Sequence, residues 1–404
     1  MSRVVPPAGP LRVLALAQLA NSLGDGAFYA GSALFFTRLV GLSPAQVGLA
    51  LTLAWAAAML AGVPLGFLTD RWGPRRTAVL LSLATASALS AFLVVRSFPL
   101  VLLTLCGYAC CQAGLASARQ ALLAGSVAPD ERTRARAHLQ STLNAGLAIG
   151  AGLGALALSV GTRPTYLAVF TIDAVSFLVA ALVLRRLPET RPVPKAPATA
   201  PRRSVLRDRP YTLVTLLNAI MCLNMPLLSL GLPMWIVQRT GAPAPMAAVL
   251  LVVNMLGVVA FQVPVARRVT GLHSATRATR HAGVLMLAAC ALYSLSGVGV
   301  GAEAGVVILI VAAVIQVFGE MLQGAGSWEI GFGLAQADRQ GQYQGFFGMG
   351  PQFARTLGPV LLTALLVTWG APGWWALGGL FLVAGAAFGP AVRWARTDLG
   401  IVAS

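Results

Sequence analysis

Long apolar segments alternate with short polar ones along the whole chain. About twelve apolar segments can be counted, and each is long enough to cross about 30 Å of hydrocarbon as a helix. Backbone groups in lipid must satisfy their own hydrogen bonds, so these segments are predicted to be helices. We therefore predict an all-α polytopic membrane protein. The predicted helices cover residues 12–37, 47–69, 77–95, 99–124, 138–160, 164–184, 211–236, 246–266, 281–300, 304–331, 343–368 and 373–392.

Composition supports this prediction and indicates how the chain is oriented in the membrane. Only 10% of the residues are charged, against about 25% in soluble domains. When the N-terminus is placed in the cytoplasm, 23 of the 29 basic residues fall in cytoplasmic termini and loops. This is the positive-inside distribution. The net charge of +17 therefore predicts a bilayer partner and cytoplasmic termini, and argues against nucleic acid.

A polar segment divides the helices into two groups of six. Residues 188–210 are rich in Pro and Arg and have no apolar face, which predicts a semi-rigid cytoplasmic linker. It separates a bundle at 1–187 from a bundle at 211–404. A weak repeat at a shift of about 200 residues pairs Pro64 with Pro264. Repeats with an even number of helices are related by an axis along the membrane normal.

The turn after the second helix reads GVPLGFLTDRWGPRR. It resembles the signature loop of the major facilitator superfamily, G-x-x-x-D-R/K-x-G-R-R/K. The resemblance implies two six-helix bundles and transport by alternating access, with the aspartate holding the start of helix 11. A carboxylate is also suited to a helix N-terminus on physical grounds. A purely topological role for the turn stays open. The predicted gating residues are Gly66, Asp70, Arg71, Gly73, Arg75 and Arg76.

Polar residues inside the helices are the second group of candidates, because an ionisable side chain there costs about 2.5–3.5 kcal/mol. In the first helix Asn21 and Asp25 share one face with other polar residues. Asp25 could carry a proton; a structural role is the alternative. Asp173 in the sixth helix has no evident partner.

Helix 10 reads EMLQGAG from Glu320. This resembles the helix 4 motif R-x-x-Q-G-x-G of proton-coupled exporters, with glutamate in place of arginine. In helix 4 itself, Ala109 stands at the arginine position. The family resemblance implies that helices 1, 4, 7 and 10 line a cavity, although Glu320 could instead belong to a packing motif. The predicted proton-coupling and cavity residues are Asp25, Asn21, Gln112, Asn224, Glu320 and Gln323.

Glycines in helix 5 form the third pattern. They resemble in part the exporters' antiporter motif, and glycines at this spacing permit close helix crossings. Helix 11 has Gly358-Pro359 instead. The predicted packing residues are Gly146, Gly150, Gly154, Gly358 and Pro359.

These patterns predict a secondary-active transporter and no enzyme. A nucleotide-binding loop is absent, and the five cysteines lack metal-ligand spacing. No cofactor or metal is predicted, and an ion gradient remains as the energy source. We expect a monomer that exports small apolar or amphipathic compounds in exchange for protons and resembles drug or metabolite exporters of actinobacterial type. Its Arg-rich, Lys-poor composition indicates a bacterial inner (plasma) membrane. An importer or facilitator of a polar metabolite, and a non-transporting scaffold or receptor, are the alternatives.

Overall fold

The computed structural model describes residues 9–160, 162–188, 205–243, 245–299 and 301–398, and this part of the chain is helical without strands. Most of the predicted linker, 189–204, lies outside the described residues. The helical segments are α1 (Pro10–Leu34), α2 (Pro44–Trp72), α3 (Pro74–Phe92), α4 (Phe98–Ser126), α5 (Arg132–Val160), α6 (Arg163–Leu184), α7 (Arg209–Arg239), α8 (Met246–Ala266), α9 (Leu272–Leu295), α10 (Ala302–Gly333), α11 (Gln340–Phe347 and Met349–Leu362) and α12 (Ala371–Asp398).

The predicted all-α fold of about twelve helices is confirmed. Two helices begin well before the position that the apolar pattern predicts: α5 begins at Arg132 and α9 at Leu272, instead of 138 and 281. Each has two or more arginines before the predicted start, so a search for apolar segments excludes residues that nevertheless belong to the helix. Eight of the described helices are long and apolar enough by themselves to cross a membrane.

The chain groups into two compact units. The first contains Met1–Pro197 together with Ala335–Gly348, and the second contains Ala198–Leu334 together with Met349–Ser404. The first unit therefore holds α1–α6 and also the first part of α11. Within it α1 packs on α5 and α6, α4 packs on α2 and α3, and α3 packs on α6.

The second unit repeats this arrangement. There α7 packs on α11 and α12, α10 packs on α8 and α9, and α9 packs on α12. Each pair is the first unit's pair shifted by six helices. Pro64 and Pro264 lie inside the corresponding helices α2 and α8. The two units thus share one internal architecture.

Local sequence fixes where the helices begin and end. Ser43 and Gln46 form a reciprocal capping box at the start of α2, which satisfies two backbone N–H groups. Gly73 ends α2 and precedes α3 with φ of 90°, a conformation that glycine adopts without strain. Pro74 follows in the first position of α3, where its missing N–H costs nothing.

The outward surfaces of the helices are apolar. Leu60, Leu103 and Val360 each expose 70% or more of their side chains. Backbone groups of the helices are satisfied internally, so these apolar surfaces are suited to contact with lipid tails.

Candidate functional site

The carboxylate of Asp70 caps the start of α11. Its Oδ1 accepts a hydrogen bond of 2.6 Å from the backbone N–H of Gly341, and Oδ2 accepts one of 2.9 Å from that of Gln342. Both donors lie in the first turn of the helix Gln340–Phe347. These N–H groups have no partner within their own helix, and an anion there is favoured electrostatically.

Glycines bring α2 and the start of α11 into backbone contact. A Cβ atom at Gly66 would collide with the carbonyl oxygen of Gly341, and one at Gly345 would collide with the carbonyl oxygen of Gly62. The two helices therefore present glycines at four-residue spacing to each other. The hydroxyl of Ser117 on α4 also donates to the carbonyl of Gly341, at 2.8 Å.

The arginines of the turn lie in different environments. Arg71 and Arg76 are exposed. Arg75 donates from Nη1 to the carbonyl of Leu187 at 2.8 Å, which joins the start of α3 to the end of α6. Within the predicted gating set, Asp70 thus contacts the start of α11 through hydrogen bonds and Gly66 contacts it through close packing.

Inside the first unit, Asp25 on α1 meets two polar side chains of α4. The Tyr108 hydroxyl donates to Asp25 Oδ1 at 3.3 Å, and the Gln112 amide donates to the same oxygen at 3.1 Å. Gln112 also donates to the Tyr108 hydroxyl at 3.0 Å. Asp25 is 8% exposed and Tyr108 is 1% exposed. The result is a buried triad of carboxyl, phenol and amide.

Other buried polar groups surround this triad. Asn21 lies one turn earlier on α1, and neither atom of its buried amide has a hydrogen-bond partner among the described residues. Arg119 donates from Nη1 to Gln18 at 3.4 Å. Its Nε and Nη2 are buried without a partner in the part of the chain described. Arg119 also interacts electrostatically with Asp25.

The second unit contains a separate polar cluster centred on α10. Glu320 Oε2 accepts a 2.7 Å hydrogen bond from the side-chain amide of Asn254 on α8. Gln323 donates to Asn218 on α7 and to Ser327, both at 3.1 Å.

Asn224, the predicted cavity residue of α7, has a different environment from Gln323. Its amide nitrogen donates to the carbonyl of Met221 in its own helix, at 2.8 Å. Its buried Oδ1 has no hydrogen-bond partner among the residues that are described. Of the predicted residues of the second half, Glu320 and Gln323 therefore lie in the α10 cluster, where Gln323 contacts Asn218, and Asn224 bonds within α7.

Three of the predicted packing residues, Gly146, Gly150 and Gly358, lie in close contact with neighbouring helices. A Cβ atom at Gly146 would collide with Ser22 Oγ, and one at Gly150 with the carbonyl oxygen of Leu23, so α5 touches the backbone of α1. Gly154 is buried. Gly358 packs on Pro226, whose ring would lie 2.5 Å from an added Cβ. Pro359 lies inside α11.

Sequence reasoning missed two partners, Tyr108 and Asn254. Each had a signal. Tyr108 precedes Gln112 by one helical turn and therefore shares its face, and Asn254 interrupts an otherwise apolar helix. Neither position belongs to a motif, so the sequence showed that both residues are polar but did not indicate which residues they contact.

Comparisons with known proteins identify the family and the fold of the chain. A sequence model of the Major Facilitator Superfamily matches residues 14–359, whereas no curated protein matches the chain. The human organic anion transporter MFSD10 (TETRAN) is 17% identical, with a TM-score of 0.71, over 96% of this chain and 99% of its own.

Two further solved structures have the same fold. A bacterial homologue of the iron transporter ferroportin in the outward-facing state is 17% identical, with a TM-score of 0.72, over 96% of this chain and 99% of its own. The proton:xylose symporter XylE is 12% identical, with a TM-score of 0.74, over 93% of this chain and 94% of its own. The family match covers most of the chain, and the chain accordingly belongs to the Major Facilitator Superfamily of multi-pass membrane proteins.

Proposed function

We propose that this protein is a secondary-active transporter that exports small apolar or amphipathic compounds in exchange for protons, by alternating access. The observation that carries the proton step is the environment of Asp25. The Tyr108 hydroxyl and the Gln112 amide both contact its Oδ1. A hydroxyl can donate to a carboxylate or accept from a protonated carboxyl, and a glutamine side chain offers both kinds of group. Asp25 can thus keep hydrogen bonds in both protonation states.

The proposed gate is the contact between α2 and the start of α11. The arginine distribution supports a cytoplasmic location for this contact. Asp70 holds two backbone N–H groups of α11, and hydrogen bonds to a charged group are worth about 1.5–3 kcal/mol each. Opening of this side requires both bonds to break as α11 leaves α2. Such a contact suits a gate, because it is specific and yet confined to one helical turn.

The second unit supplies the other candidate groups. Glu320 with Asn254, and Gln323 with Asn218, offer an acid and three amides within the helices. We propose that they contact cargo or ions. Hydrogen-bonding groups that are few and fixed orient a ligand, while apolar surface supplies most of its binding energy.

Two features support the proposed direction of transport and the proposed class of cargo. The close crossing of α1 and α5 at Gly146 and Gly150 supports export, because the glycines of α5 resemble the antiporter motif. Within the helix bounds predicted from the sequence, Arg119 and Arg355 are the two basic residues away from helix ends, which favours apolar or amphipathic cargo over highly charged cargo. We place the protein in a bacterial inner membrane as a monomer with cytoplasmic termini, among exporters of actinobacterial type.

An efflux screen tests this proposal. Cells producing the wild-type protein or Asp25→Asn at matched abundance are loaded with a panel of lipophilic dyes and drugs, with and without a protonophore. We expect the wild type to lower retention of some compounds, and the protonophore or Asp25→Asn to abolish the difference. A panel that shows no such difference, together with proton-driven uptake of a sugar or organic acid, would replace export by import of a polar metabolite.

A further inference from the structure

Asp173 on α6 is a fully buried carboxyl that the proposed function does not use. Its side chain is 0% exposed. Oδ1 accepts a hydrogen bond of 3.3 Å from Ser176, and Oδ2 is buried without a partner among the described residues. A carboxylate oxygen buried in this way is costly to keep ionised. This group therefore requires an explanation beyond packing.

The position of Asp173 connects it to the triad around Asp25. A Cβ atom at Gly24 would collide with Asp173 Oδ1, so the carboxyl lies against the backbone of α1 next to Asp25. The two aspartates interact electrostatically. The absence of a side chain at position 24 allows this approach. Two acids from different helices thus share one buried region of the first unit.

The remaining ionisable groups near this pair are few. Tyr29 of α1 and Tyr108 of α4 interact with the region, and tyrosine is neutral at physiological pH. Arg119 of α4 interacts with Asp25, and Arg136 at the start of α5 interacts with Arg119. The guanidinium of Arg119 therefore lies within electrostatic range of the pair through Asp25.

We infer that Asp25 and Asp173 form a carboxyl pair that holds one proton between them in the resting protein, with Arg119 balancing the remaining negative charge. This inference rests on the proposed proton coupling and extends it from one residue to a pair. With one proton bound, two carboxyls and one guanidinium sum to zero charge. Loss of that proton leaves two like charges in a poorly solvated region, which is strongly unfavourable. Interacting carboxyls of this kind titrate as a pair.

Charge balance gives the pair distinct behaviour in variants. Removing either carboxyl leaves one carboxylate together with the guanidinium of Arg119. These two charges already sum to zero, so the resting proton is no longer needed. Removing the guanidinium leaves two carboxyls without a cation, so both should be protonated. If the two acids titrated independently, each substitution would instead remove only the signal of its own residue and leave that of the other unchanged.

Infrared titration of the purified protein in lipid vesicles measures this directly and requires no cargo. Protein labelled with carbon-13 at the aspartate carboxyl shows the carbonyl stretching band of protonated aspartate. At neutral pH we expect one buried protonated carboxyl in the wild type. The band should be lost in Asp173→Asn and equally in Asp25→Asn, and should double in Arg119→Gln. Asp130→Asn, an exposed acid of the same half, is the matched control and should keep the wild-type band.

Any other result would contradict the proposal that the two carboxyls form a pair. A wild-type spectrum without the band, or one that keeps full intensity in Asp173→Asn, would show that the two acids do not share a proton. Loss of the wild-type band on addition of Mn²⁺, restored by a chelator, would assign the two acids to a cation instead. Band intensities are compared in variants that elute as folded protein, and the wild-type titration stands even if a variant does not fold. Failure of the efflux screen alone would leave this result intact.

Discussion

Gly66 and Gly341 pack backbone against backbone, so that a Cβ atom on either residue would collide with the carbonyl oxygen of the other. Association of helices in lipid lacks the hydrophobic driving force found in water and depends on close packing and polar contacts. The contact of α2 with α11 has both, because Asp70 caps the same turn. We therefore expect small changes on either helix to weaken this contact.

Gly66→Ala tests the packing at this contact. The added methyl group would force α2 and α11 apart, at a cost of about 1–3 kcal/mol, and we expect transport to fall by about tenfold or more. Gly48→Ala on the same helix is the control, because nothing lies within 4 Å of its added Cβ. The comparison uses initial transport rates at equal abundance. Equal rates in the two variants would contradict a gate at this crossing.

Asp70→Asn tests the charge at the same contact with little change in size. One of the two carboxylate oxygens is replaced by an amide NH2 that faces a backbone donor, so the variant should lose one of the two hydrogen bonds, together with the negative charge that strengthens the other. We expect normal insertion and transport reduced by about tenfold or more. Abundance is measured by immunoblot and transport in vesicles. Normal transport at normal abundance would reduce the turn to a topological signal.

Asp25→Asn separates proton coupling from cargo movement. The variant mimics the protonated carboxyl permanently, so it should still exchange cargo across vesicles at equal pH. It should not accumulate cargo against its gradient when a pH difference is imposed. Binding linkage requires that a proton which affects cargo affinity is itself affected by cargo. Accumulation that survives in the variant would exclude Asp25 as the proton carrier, whereas loss of both activities would indicate a structural or cargo-binding role.

Glu320→Gln tests the acid of the second unit. Glutamine can keep the hydrogen bond from Asn254, because its carbonyl oxygen is an acceptor, so the variant changes charge more than packing. We expect an altered cargo range or pH response at unchanged abundance. Glu303→Gln is the control, as an exposed acid in the first turn of the same helix. A wild-type cargo profile and pH response would make Glu320 a packing residue.

Gly150→Ala tests the crossing of α1 and α5. The added methyl group would collide with the carbonyl oxygen of Leu23, and overpacking of this kind costs about 1–3 kcal/mol. Gly152→Ala, two residues along, meets open space and should be neutral or slightly stabilising, since alanine favours helix. Thermal unfolding in detergent gives the comparison. Equal midpoints for the two variants would show that α5 can move away from α1 without cost.

The sequence was sufficient for features that depend on one helix alone. Helix number follows from apolar length, and the turn at Gly73 follows from local chemistry. Which helix a polar residue faces depends on rotation and packing, which periodicity does not determine. For this reason Tyr108 and Asn254 were missed, and the contact of Gln323 with Asn218 could not be anticipated. The location of Asp173 against Gly24 depends on the crossing of α1 and α6 and could not be anticipated.

The glycine contact between α2 and α11 has a thermodynamic consequence. Few side chains are fixed when two glycine surfaces meet, so closure costs little rotamer entropy. Closure removes little apolar surface from contact with water. The heat-capacity change that accompanies hydrophobic burial should therefore be small. Closure should therefore be driven by enthalpy, through dispersion contacts and the two hydrogen bonds on Asp70. We expect the balance between open and closed forms to shift steadily towards open on warming, without the curvature typical of hydrophobic association.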